Sequence, residues 1–126
     1  MIFVDTNAIM YAVGREHPLR AEAQAFFAAQ VDAPEGLVSS AEVLQELLHA
    51  YLPVDRLETL EAAFTLIEAT ILTIWAIEPD DVYHARVLAG SNPGLGARDL
   101  LHLSCCQRRG VDRIQTFDRA LRAAFG

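Results

Sequence analysis

The sequence predicts a three-layer α/β domain in which a central parallel sheet of four to five short strands is flanked by helices. Three observations predict it. Short runs rich in apolar and β-branched residues recur at Met1–Val4, Leu37–Val38, Ile71–Ile77 and Arg113–Phe117. The segments between them have helical periodicity and helix stop signals, so strand follows helix follows strand, and such crossovers are right-handed and make neighbouring strands parallel. The first run is apolar at every position instead of alternately, the mark of a strand buried on both faces. With 126 residues, 52% of them hydrophobic, the chain suits a single domain over residues 1–126.

Met1–Val4 is stopped by Asp5-Thr6-Asn7, and Ile9, Met10 and Val13 then mark a short helix ended by Gly14. Pro18 to about Gln30 is rich in Ala, Arg, Glu and Gln and carries Phe26 and Phe27, an amphipathic helix broken by Asp32-Ala33-Pro34-Glu35-Gly36. After Leu37–Val38, Ser39-Ser40 reads as a helix start, with an apolar stripe of Leu44, Leu47, Leu48 and Tyr51 running to Pro53. A further helix covers Asp55 to about Ala69. The strand Ile71–Ile77 stops at Glu78-Pro79-Asp80-Asp81, whose two aspartates cap the helix at Val82. Ser91–Gly96 is a loop, Ala97–Arg109 a helix closed by Gly110, Arg113–Phe117 the last strand, and Asp118 opens a terminal helix.

Ten basic residues against 17 acidic ones give a formal net charge of −7, which argues against a broad basic surface for nucleic acid. Any contact with a polyanion must be local or mediated by metal. Cys105 and Cys106 are adjacent on a helix, where neighbouring side chains diverge, so a disulfide between them is not expected. The start of the chain has no secretory pattern and no run approaches a membrane span, which favours a cytoplasmic protein.

Ligands of open parallel sheets bind beyond the carboxyl ends of the strands. Asp5 directly follows the first strand, Asp118 directly follows the last, and Asp99 lies in the first turn of the helix after the Ser91–Gly96 loop. Each is also a good helix cap, but capping alone would accept Ser, Thr or Asn at these positions. Their joint placement points to chemistry. Thr6, Asn7 and Thr116 add short polar groups suited to orienting a carboxylate or water. In the helix from Ser39, Glu42 and Glu46 are four residues apart. Ser39-Ser40-Ala41-Glu42 fits a capping box, which gives Glu42 a structural task. Glu46 has none and flanks the packed stripe, so Glu46 is assigned to the site and Glu42 is the supporting or competing glutamate. Four clustered carboxylates repel one another unless cations lie between them, and such hard oxygen donors suit Mg2+ or Mn2+. Setting these four acids aside takes the formal net charge from −7 to −3, so the acidity does not exclude a polyanionic substrate.

The segments Val4-Asp5-Thr6-Asn7, Val43-Leu44-Gln45-Glu46-Leu47, Ala97-Arg98-Asp99-Leu100-Leu101-His102 and Thr116-Phe117-Asp118-Arg119 resemble, in this order, the motifs of PIN-domain proteins, specifically the VapC-like toxins of type II toxin-antitoxin systems. The resemblance covers nearly the whole chain. It implies a PIN-like sheet with helices on both sides, Mg2+- or Mn2+-dependent endoribonuclease activity on an RNA substrate, inhibition by a small antitoxin protein, and a homodimer. Carried onto this sequence, the family's acids fall on Asp5, Glu46, Asp99 and Asp118, with Asp5, Asp99 and Asp118 completing the metal shell and Glu46 ligating or acting as base through water. Many relatives have a further acid after the last motif, where this chain has Arg119-Ala120-Leu121. Two other readings share the fold: an RNA-processing nuclease without an antitoxin, and a catalytically silent partner-binding module. The complete set of four acids argues against the second, and the small size favours the toxin over the first.

His102 and Cys106 share a helix face with Asp99, the spacing of a zinc site, but His102 is better read as supporting Asp99 by a hydrogen bond or packing at the helix edge, and the cysteines as core residues. Arg98 is the best-placed phosphate contact, ahead of Arg15 and Arg20. Phe26, Phe27, Leu60, Phe64 and Ile67 offer a groove for a partner helix, although core packing is the expected use of most of them.

Overall fold

Ile2, Phe3 and Val4 form strand β1 (Ile2–Val4). Alternate side chains of a strand point to opposite faces, and all three are nearly inaccessible, so both faces of the sheet are covered. In the computed structural model, which describes residues 1–32 and 35–126, β1 is followed by α1 (Thr6–Val13) and α2 (Arg20–Asp32). Then come β2 (Leu37–Ser40) and α3 (Ala41–Tyr51), which runs into a 3-10 turn at Leu52–Val54. After α4 (Leu57–Thr70) follow β3 (Thr73–Trp75), α5 (Pro79–Leu88), α6 (Ala97–Arg108), β4 (Ile114–Gln115) and α7 (Arg119–Ala124). Part of the break expected at Asp32–Gly36 falls on residues 33–34, outside the described residues.

The four strands are parallel in the order β3-β2-β1-β4. From β1 to β2 to β3 the chain moves one way across the sheet, and from β3 it returns past both to lie beside β1. With right-handed crossovers, reversal of direction puts the later helices on the opposite face. Accordingly α1 packs with α2, α3 and α4, while α5 packs with α6 and α6 with α7. Phe3 faces the second group, its ring 5.3 Å from His102 of α6 and stacked at 5.8 Å on Trp75. The order reverses between β1 and β4, and the carboxyl ends of those two strands flank the crevice where such sheets bind ligands.

Two local expectations are corrected. Ser39 and Ser40 end β2, and of the two only Ser40 also starts α3: the Ser39 hydroxyl donates to the Val4 carbonyl at 3.0 Å, stitching β2 to β1. The N-cap of α3 is Ser40, which makes no side-chain capping bond, so the capping box that set Glu42 apart is not formed. A serine in a buried strand can satisfy its hydroxyl on a neighbouring strand, and local pattern does not reveal that option. Phe27, Leu60 and Ile67 are buried, and Phe26 and Phe64 pack against the same core; core packing is thus their main use. Gly110 follows α6 with φ +71°, a left-handed turn that a side chain would strain.

Asp81 has a larger part than capping. Its carboxylate accepts from the Glu78 amide at 2.8 Å, closing the capping box of α5. It also receives Arg108 at 2.6 Å and Arg109 at 2.7 and 3.0 Å from α6. Arg109 lies over the Trp75 ring at 5.0 Å, so one buried carboxylate ties α5 and α6 to the sheet.

Candidate active site

Asp5 ends β1 because the strand's ladder stops there and α1 begins on its carboxylate. Oδ1 accepts from the Thr6 amide at 2.8 Å, and Oδ2 accepts from the Thr116 hydroxyl at 2.7 Å. Both carboxylate oxygens are therefore fixed in direction by neighbouring chain ends. Thr116, buried just after β4, in turn accepts from the Asp118 amide at 3.0 Å and from Asn7 Nδ2 at 3.2 Å, while Asn7 Oδ1 accepts from the Phe117 amide at 3.1 Å. The supporting roles expected of Thr6, Asn7 and Thr116 correspond to real bonds, which lock the β1–α1 and β4–α7 junctions together.

Glu46 reaches the same place from α3. Its Oε2 accepts from the Thr6 hydroxyl at 2.5 Å and its Oε1 lies 2.8 Å from His102 Nε2. His102 is fully buried, and the same nitrogen stands 3.6 Å from Asp5 Oδ1. Sequence reasoning gave His102 to Asp99, its neighbour on the helix; the structure gives it to Glu46 and Asp5, because the inward face of α6 looks across the sheet edge to α3. Among the described residues, the tight group with potential ligand atoms all within 4.8 Å of one another is Asp5, Glu46 and His102. Asp99 and Asp118 stand outside it. Asp118 caps α7, its Oδ1 accepting from the Leu121 amide at 3.0 Å; capping and chemistry are not exclusive there. No zinc-type group joining His102 to Cys106 is found among the described residues, and burial holds both cysteine thiols up, Cys105 at about 11.

The electrostatics connect Asp99 to the charges of Asp118, Asp5 and Glu46. Burial raises the Asp5 carboxyl, against the opposing pull of His102, Thr116 and the Thr6 amide. Burial also acts on Glu46, but the hydrogen bond and charge of His102, aided by Thr6 and Arg98, hold it below its ordinary value. His102 is pushed down by burial and raised on balance by Glu46 and Asp5. Asp99 is held up at about 6 by burial and then by the charges of Asp118 and Asp5. It lines an open pocket together with Glu46, Gly96, Ala97 and the exposed Arg98. Glu42 lines adjoining pockets with Arg98, beside the site but outside the bonded group. Ser40, buried at the end of β2 with its hydroxyl unpartnered, is a further polar group at this sheet edge that the helix-start reading passed over.

This donor set fits a hard divalent cation. Burial and acidic neighbours raise both Asp5 and Asp99 despite the pull of His102, and oxygen-rich sets of this kind take Mg2+ or Mn2+. A stability consequence follows for the metal-free protein. A carboxyl raised from 3.8 to about 6 on folding disfavours the folded state once pH exceeds the unfolded value, and the loss is complete above the folded one. With chelator present, Asp99→Asn is expected to be the more stable protein at pH 8 by about 1–2 kcal/mol after allowance for solvent screening, and no more stable at pH 3.5. Thermal melts at both pH values check this; equal melting temperatures at pH 8 would contradict it.

Comparison with known proteins gives a consistent picture. The sequence pattern of the PIN domain matches residues 2–125. A Mycobacterium tuberculosis protein named Ribonuclease VapC23 is 59% identical over 125 residues, covering 99% of this chain and 98% of the relative. Ribonuclease VapC13 of the same organism is 39% identical over 119 residues, 94% of this chain and 91% of that one. Among solved structures, Mycobacterium tuberculosis VapC20, described as a sarcin-ricin loop cleaving toxin, superposes with a TM-score of 0.83 over 98% of this chain and 95% of its own. At 18% identity that likeness speaks for the fold alone.

Proposed function

This chain belongs to the PIN domain family, and from that premise we propose that it is a metal-dependent endoribonuclease of the VapC type, the toxin of a VapBC-like pair. The observation that supports the reading is the close group of Asp5, Glu46 and His102 at the carboxyl end of β1, beside the β1–β4 switch point, with Asp99 near enough to feel the charges of Asp118, Asp5 and Glu46. The 59% identity to a protein named as a ribonuclease supports the reaction class. The partners proposed with it are an RNA substrate, a small cognate antitoxin and a second copy of the chain, in the cytoplasm. No helix among the described residues is long and apolar enough to cross a membrane.

Asp5, Asp99 and Asp118 are the residues proposed to hold Mg2+ or Mn2+, which when bound activates a water and neutralises charge developing on the phosphate. Thr116 and the Thr6 amide keep Asp5 in one orientation. The Leu121 amide occupies Asp118 Oδ1 and leaves Oδ2 without that constraint. His102 Nε2 and the Thr6 hydroxyl hold Glu46 ionised, so it can ligate or accept a proton through water. Arg98, at the mouth of the same pocket, is the cation proposed to meet the approaching phosphate.

Incubation with structured RNAs tests the reading. Cleavage is expected with Mg2+ or Mn2+, lost in excess chelator and restored by adding the cation back. Cutting that persists in chelator would overturn the metal-carboxylate mechanism. The reading as a silent binding module finds no support in a site whose four acids are all present.

A further inference from the structure

Beyond the carboxylates, the exposed end of α1 carries a second constellation. Asn7, already bonded to Thr116 beside Asp5, also lines a groove with Tyr11, Arg15, His17, Tyr51 and Arg56. Asn7 and Tyr11 are four residues apart and so share one face of α1, and Tyr11 lies six residues from Asp5, about 9 Å along the helix axis. Asn7 thus links the groove to the active site through Thr116, which bonds Asp5.

Its side chains are held in place. The Tyr11 ring packs edge-on against Phe117 at 5.3 Å and against the His17 ring at 4.5 Å. His17 Nδ1 accepts from the Leu19 amide at 3.1 Å, which assigns the ring proton to Nε2 as a donor. Arg56 lies over the Tyr51 ring at 5.5 Å and donates to Thr59 at 3.2 Å. The one carboxylate bordering the groove, Glu16, is paired with Arg20 at 2.8 Å. Arg20, Arg108, Arg109 and Arg113 have carboxylate partners, whereas Arg15 and Arg56, like Arg86, Arg98, Arg119 and Arg122, have none among the described residues, and Arg15 and Arg56 are the two that line this groove. A chain of net charge −7 therefore gathers two cations without carboxylate partners, a ring donor and packed aromatic rings in one groove beside Asn7.

We propose that this groove is the track for the RNA strand next to the scissile phosphate: Arg15 and Arg56 take backbone phosphates, and the Tyr11–His17 pair supports a neighbouring nucleotide. Arginine with aromatic rings is the chemistry that holds single strands, and the proposal rests on the ribonuclease reading above. It explains how an acidic protein holds a polyanion, with local cations beside the site in place of a basic surface.

The probe is a fluorescent, mixed-sequence single-stranded RNA of about 20 nucleotides, titrated against the full chain carrying Asp5→Asn to prevent cutting. Each phosphate contact on a single strand contributes about 0.7 to the slope of log affinity against log salt, or roughly fivefold in affinity at 0.1 M salt. Arg15→Ala with Arg56→Ala is expected to weaken binding about twentyfold and to reduce the slope by about 1.4. Arg113→Ala, which removes the same charge at the amino end of β4, outside the residues that line the groove, is expected to leave both unchanged. Arg15→Glu, on an exposed side chain with no ion pair in the fold, guards against a folding defect in the Arg56 variant. In the cleaving protein it is expected to raise KM with little change in kcat.

An unchanged slope, or an equal effect of Arg113→Ala, would overturn the track and leave the groove to a protein partner. A parent chain that neither binds nor cuts RNA would remove the ribonuclease reading and the track with it. RNA that is cut normally by the Arg15 and Arg56 variants would remove the track alone.

Discussion

Asp5→Asn is expected to reduce RNA cleavage by about a thousandfold or more, equivalent to roughly 4 kcal/mol of transition-state stabilisation, while the protein remains folded. Asn matches Asp in size and can still accept the Thr6 amide bond made by Oδ1. What it cannot supply is the negative charge beside His102 and Glu46, 3.6 Å from the imidazole. A change of geometry is excluded as the cause if circular dichroism and melting temperature stay close to the parent's. Single-turnover cleavage of one RNA at saturating Mg2+ or Mn2+ measures the loss. Activity within tenfold of the parent would mean that Asp5 is a helix cap and nothing more.

Asp81→Ala is expected to be the most destabilising single change away from the site. The carboxylate is fully buried yet held well below the usual range: the hydrogen bond from Arg109, the Glu78 amide and Arg108 together outweigh the cost of burial. Removing one member of a buried ion pair leaves the other charges uncompensated and costs about 3–5 kcal/mol, or roughly 10–15 °C in melting temperature for a domain of this size. The sign with pH is opposite to that of Asp99. A depressed carboxyl contributes stability that is present above the unfolded pKa and is lost as pH falls through the folded one, so the difference between parent and Asp81→Ala shrinks in acid. Urea titrations at pH 7 and in acid measure it, and a difference that does not narrow in acid would show that the loss comes from packing instead of charge.

The two aspartates show how much of the molecule is legible in the residues alone. Asp5 was recognisable because a wholly apolar run stopped on an acid, and Asp118 because the same pattern recurred near the end of the chain. Asp81 was legible only as a cap, since the Arg108 and Arg109 that bury its charge lie 27 and 28 residues away. Glu46 was preferred to Glu42 through a capping box that the structure does not contain. The preference survives on a different ground: Glu46, not Glu42, meets Thr6 and His102.

The sequence by itself determined the succession of strands and helices and which acids sit at strand ends, because apolar runs, caps and breakers act within a few residues. It also carried the family resemblance, which four short motifs in the right order sufficed to raise. Tertiary structure alone decided that β4 lies beside β1, that Ser39 is spent on Val4, that His102 serves Glu46 across 56 residues and that Thr116 serves Asp5 across 111. Those partnerships depend on which strand ends become neighbours. The crossovers and the two-sided burial of β1 settle that only once the whole sheet is assembled, and the acid that ends β1 acquires its neighbours in the same step.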